Sequence, residues 1–157
     1  MNNIETIITT LEKTPELIIG LIREVPPQNL KRRPSPNKWS AHEHACHISG
    51  ADTVFLARLE LMLSEAAPYI RYMAPSPDEE AGSMLNIDLD KALDHYVRER
   101  ARLVKRLKEL SAEDWQRTAE HEEYSRYSVM IMFRSLLTHE MLHAYRIEEL
   151  SLKKDWA

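Results

Sequence analysis

The stretch from Ser128 to Leu152, SVMIMFRSLLTHEMLHAYRIEELSL, decides the fold. Its apolar residues Val129, Met132, Leu136, Ile147 and Leu150 recur at helical spacing, Ser128 offers an N-cap oxygen, and no glycine or proline interrupts the run. The spacing predicts one long amphipathic helix. On its apolar face stand His139 and His143, about 40° apart around the axis and one turn apart along it. Both imidazoles are therefore expected to point inward, where each unsatisfied ring nitrogen costs about 1–3 kcal/mol. A divalent metal satisfies several such nitrogens at once, and a third ligand from another helix leaves a fourth position open for water.

Working back from this helix, residues 116–127 read as a polar loop carrying His121, Tyr124 and Tyr127, preceded by a short turn that Ser111 and Asp114 begin. A third long helix is predicted from about Ile87 to Leu110, with Leu89, Leu93, Tyr96, Arg100, Leu103 and Leu107 as its stripe. Residues 65–86 hold Pro68, Pro75, Pro77 and Gly82 with little periodicity, a connection long enough to be functional or a crossover. A second helix is predicted from Ser40, which can cap its start while Glu43 reaches back, to about Ser64. The first runs from Ile4 to Val25, with a break or kink expected at Thr14-Pro15.

Four long amphipathic segments make an all-α four-helix bundle the economical architecture. A helix of this length spans ~36 Å and the segment 65–86 reaches up to ~70 Å, so it can cross the bundle and leave helices two and three parallel. An up-down-up-down order would not need it.

The chain has 157 residues, 43% of them hydrophobic and 29% charged, which suits one folded domain over residues 1–157 and excludes the signature of disorder. Three glycines are too few for the turns of an all-β domain. The formal charge of −4, with both signs interspersed, gives no basic stripe for nucleic acid. No run is apolar enough for a membrane span. The single cysteine, Cys46, and the absence of a signal-peptide pattern make a cytoplasmic location the expectation.

The third ligand is expected from the start of helix two, which offers His42, His44 and His47. Periodicity rates His44 and His47 about equal and His42 lower. Glu140 lies off the line of the two ligands and is a weak catalytic candidate. Arg100, an arginine in an apolar stripe, either snorkels outward or faces the cleft to bind an anionic substrate group. His95 and His121 read as solvated side chains, Cys46 as an ordinary buried cysteine and Trp39 as a packing anchor. The loop residues Tyr69, Arg71, Tyr72 and Met73 are placed to shape a pocket mouth. The His139-Glu140-Met141-Leu142-His143 string also matches a metalloprotease motif, but only 157 − 143 = 14 residues follow, without the downstream ligand that such a site needs.

The stretch Pro34-Ser35-Pro36-Asn37-Lys38-Trp39-Ser40, with Glu43 and His47-Ile48 behind it, resembles the opening of helix two in the DinB/YfiT-like family. The late His139-to-His143 motif resembles that family's last helix, and the likeness spans nearly the whole chain. It implies a four-helix bundle, commonly a homodimer, with a divalent metal held by His47, His139 and His143, and so selects His47 over His44. Many members continue the last motif into Gly-Gln, where this chain has Ala144-Tyr145-Arg146-Ile147, so that Gln has no counterpart here. The implied activity is a metal-dependent hydrolase or a thiol S-transferase, with zinc or nickel, a small-molecule substrate and in the second case a low-molecular-weight thiol. The alternative is a non-catalytic dimeric binding module whose metal is structural or absent, a reading that a fourth protein ligand such as His44 would favour.

Overall fold

The computed structural model describes residues 4–156. Helix α1 spans Ile4–Glu24, and α2 (Ala41–Ser49) and α3 (Ala51–Ser64) follow in line. Then come β1 (Tyr69–Ile70), α4 (Pro77–Ala81), a 3₁₀ turn at Ser83–Asn86, α5 (Leu89–Lys108), α6 (Ala112–Gln116), β2 (Glu120–His121) and α7 (Val129–Leu152).

The long elements start where their caps place them. Ser40 Oγ accepts the Glu43 N–H while the Glu43 carboxylate accepts the Ser40 N–H, a reciprocal cap. Asp88 and Ser128 cap α5 and α7 in the same one-sided way, each accepting the N–H three residues on.

The second predicted helix is not continuous: it divides at Gly50, whose N–H bonds the His47 carbonyl in a tightened turn. The first helix, by contrast, does not break at Pro15. Proline lacks the N–H that would bond the Leu11 carbonyl, and Arg100 Nη1 of α5 donates to that carbonyl instead, at 2.7 Å. The connection 65–86 and the loop 116–127 are likewise more ordered than their composition suggests. Tyr69 and Ile70 pair in parallel with Glu120 and His121, closing one end of the bundle.

Two ion pairs, Lys108 with Glu12 and Arg23 with Asp90, run α1 and α5 antiparallel. Asp52 meets Arg100 and Glu60 meets Arg106, so α3 and α5 run parallel, as the crossover requires. Phe55 packs on Phe133 and His44 on His143, which sets α2 and α3 antiparallel to α7. The order is up, down, down, up. One apolar cluster (Ile7, Leu11, Leu59, Leu103, Leu136) fills one half and another (Ile18, Ala45, Ile48, Leu93, Ile147) the other. Between them lies a polar layer of Tyr96, Arg100, Asp52 and Glu140.

Candidate metal centre

The antiparallel contact of α2 with α7 brings His47 against His139 and His143. Their Nε2 atoms meet: His47 to His139 at 3.3 Å and His143 to His139 at 3.0 Å. Three nitrogens about 2.0–2.1 Å from a common ion stand ~2.8–3.4 Å apart for bond angles of roughly 90–110°. One ligand atom from each of the three histidines lies within 4.8 Å of the other two, and no fourth His, Cys, Asp or Glu joins the group among the described residues.

The electrostatics suit a cation's ligands. Burial holds all three imidazoles below the ordinary histidine range, His139 to about 4 and His143 to about 2; neighbouring rings add to the effect at those two, and Glu79 opposes it at His47. Neutral rings present lone pairs, and lone pairs crowded at 3.0–3.3 Å repel unless a proton or a metal lies between them. A divalent ion fits this donor set.

Outer contacts orient two of the rings. His143 Nδ1 stands 2.8 Å from His44 Nδ1, so with His143 Nε2 as lone pair the Nδ1 proton is donated to His44. His47 Nδ1 faces a Glu79 carboxylate oxygen at 3.8 Å. His139 Nδ1 is buried with no hydrogen-bond partner among the described residues. His42 takes no part: its Nε2–H donates to the Met84 carbonyl at 3.0 Å. Trp39, read from the sequence as a packing anchor, lies against this cluster, its ring 4.8 Å from that of His47 and 5.5 Å from that of His44. Beside it opens a cleft of about 670 Å³ whose walls include Lys38, Trp39, His44, Pro75 and Arg146. The crossover residues at this mouth are Pro75 and Glu80, whereas Tyr69, Tyr72 and Met73 are exposed elsewhere, a correction to the expected pocket mouth.

His143 is buried and His139 half-buried, but the residue of this motif with no exposure at all is Glu140. Its carboxylate accepts from Tyr96 Oη at 3.0 Å and from both Nη atoms of Arg100. Arg100 neither snorkels nor offers a free donor to a substrate, because Asp52, Leu11 O and Glu140 take all five of its N–H groups. Burial pushes both Asp52 and Glu140 up from the usual carboxylate range, and the guanidinium opposes the shift. His121 corrects the sequence reading as well: it is buried between Tyr124 and Tyr127, with Nδ1 accepting the Glu123 and Tyr124 N–H groups.

Sequence reasoning passed over Asp52 and Glu79. Asp52 carried a signal, an acidic residue on the apolar stripe of helix two opposite an arginine on the stripe of helix three. Glu79 carried none, since only the path of the crossover brings it to His47.

Among solved structures, the chain is similar to YfiT from Bacillus subtilis, described as a probable metal-dependent hydrolase with an unusual four-helix bundle topology. The TM-score is 0.84 at 19% identity, over 94% of this chain and 85% of that one, a likeness of fold. No curated protein matches the chain. The family model of the DinB superfamily matches residues 10–147, which reach from the first helix through all three clustered histidines, and the chain therefore belongs to the DinB superfamily.

Proposed function

We propose that the protein is a metal-dependent enzyme of hydrolase or thiol S-transferase type, with His47, His139 and His143 as ligands of one zinc or nickel ion. The observation that carries the reading is the convergence of three neutral imidazole nitrogens with no fourth protein ligand among the described residues. A divalent ion held there by His47, His139 and His143 would lower the pKa of a bound water or thiol and so would supply a nucleophile at neutral pH.

The chain's own residues do the rest. His44 accepts the His143 Nδ1 proton and fixes the tautomer that aims Nε2 at the ion. Glu79 holds a carboxylate toward Nδ1 of His47. Trp39 walls the cluster, and the adjoining cleft has the size of a small-molecule pocket. Lys38 and Arg146 at its rim suit a polar substrate. The placement of His44 behind His143, and not beside the other two Nε2 atoms, favours an open catalytic site over a closed structural one. A cytoplasmic homodimer belongs to the same proposal; Leu142 and Tyr145, exposed on α7, are apolar surface that a second copy would cover.

The test is elemental analysis of protein purified without added metal or a histidine tag, beside His47→Ala. Near-stoichiometric zinc or nickel in the wild type, lost in the variant, supports the reading and directs substrate screening to hydrolysis and thiol transfer. Protein that contains no metal and takes up neither added zinc nor added nickel overturns it.

A further inference from the structure

The polar layer on the core side of α7 has an unbalanced charge. Arg100 is 2% exposed, Asp52 1% and Glu140 not at all. Asp52 receives Arg100 Nε–H at 2.9 Å and an Nη2–H at 2.8 Å, and Glu140 receives Nη1–H at 3.1 Å, the other Nη2–H and the Tyr96 hydroxyl. Each of the four carboxylate oxygens in the layer therefore receives an Arg100 N–H, and the Tyr96 hydroxyl adds a further donor to Glu140. This is the hydrogen-bond pattern of two carboxylates around one guanidinium, one negative charge in excess. The other ionisable groups beside Asp52 are Glu99 and His95, on the same side of α5 and both half-buried. An uncompensated charge this deep is unfavourable unless something outside the layer answers it.

We infer that this layer is the counter-charge of the histidine centre: the excess negative charge that Arg100 fixes on Asp52 and Glu140 raises the centre's affinity for a divalent cation. The inference rests on the proposed metal site. Three neutral imidazoles bring no charge of their own, and the one carboxylate described beside them, Glu79 at 3.8 Å from His47 Nδ1, answers only half of a dication's charge. Glu140 adjoins His139 on α7 and precedes His143 by three residues, while Asp52, in the first turn of α3, follows His47 of α2 by five, so the carboxylates stand close along the chain to the proposed ligands. Within the protein interior the attraction is weakly screened by solvent and salt. Glu140 is a positioning residue here, acting on the ion through space and through the α7 backbone, and is not a ligand.

The test is zinc titration of the full chain against a chromophoric chelator, with circular dichroism confirming the fold of each variant. Glu140→Gln and Asp52→Asn each remove the excess charge and keep the shape; each is expected to weaken zinc binding about tenfold or more while one ion per chain still binds. Arg100→Lys keeps the charge and loses the forked geometry, so it is expected to lower the melting temperature yet hold zinc affinity within about threefold. Ile147→Val, which loosens packing on α7 without touching charge, controls for destabilisation. Wild-type affinity in Glu140→Gln overturns the inference, and so does an equal loss in Arg100→Lys or Ile147→Val, which would make the layer merely structural. Wild-type protein that binds no zinc overturns the metal reading itself, a result separate from either of these.

Discussion

At the residue scale, the histidine cluster separates the three proposed ligands from their supports. His44 touches His143 through Nδ1 and not through the face that meets His139. His44→Ala is therefore expected to retain one metal ion per chain and to lose roughly 10- to 100-fold in affinity, the usual cost of an outer-shell partner. His139→Ala, which removes the nitrogen that both other Nε2 atoms approach, is expected to abolish tight binding. Metal analysis after dialysis checks both. The same rings set a pH dependence in metal-free protein. His44 and His139 are depressed to about 4 and His143 to about 2, so between those values and the unfolded pKa near 6.5 the unfolded chain binds more protons than the folded one. Stability is thus fully present above about pH 6.5 and falls as pH drops through 6.5 toward 4. Thermal melts are expected to lose about 5 °C or more between pH 7 and pH 5 beyond the change seen in His139→Ala.

At the element scale, the join between α2 and α3 follows the first of the proposed ligands, His47, by three residues. Gly50 is in right-handed helical backbone (φ −92°, ψ −12°), and a Cβ there would meet only the His47 carbonyl oxygen at an ordinary 3.8 Å. Gly50→Ala is expected to stabilise the protein by about 0.4–1 kcal/mol through the unfolded state, without moving metal content. Gly82 behaves oppositely. It closes α4 at φ 103°, and an added Cβ would stand 3.3 Å from both Arg33 and Leu85. Gly82→Ala is expected to cost at least ~1 kcal/mol and to loosen the crossover that carries Glu79 to His47. Urea unfolding measures both changes.

At the scale of the whole molecule, the buried layer ties all the long helices together. α1 enters through the Leu11 carbonyl freed by Pro15, α3 through Asp52, α5 through Arg100 and Tyr96, and α7 through Glu140. The layer divides two apolar clusters and fixes which side of α7 faces the core. Arg100→Ala strands two buried carboxylates and a helix carbonyl, and is expected to destabilise by about 3–5 kcal/mol in equilibrium unfolding. The up-down-down-up order follows from the crossover, and the β1–β2 pair holds one end of that segment to the chain after α6.

What the sequence alone determined was local. Helix-period stripes give α1, α5 and α7 their extents, with Ser128 as the cap of the last, the length of the segment 65–86 predicts parallel second and third helices, and the i, i+4 spacing puts His139 and His143 on one side of α7. These are properties of neighbours along the chain, which backbone geometry and burial of apolar area set directly. What only the tertiary structure decided is which side chains from distant segments share one volume. Periodicity left His44 and His47 equal; the rotation of α2 against α7 puts His47 Nε2 beside His139 and His44 behind His143. Pro15 reads as a helix break until Arg100 supplies the missing donor. His121 reads as solvated until two tyrosines enclose it. In each case a polar group's partner lies many residues away, and hydrogen bonding between segments has no period along the chain.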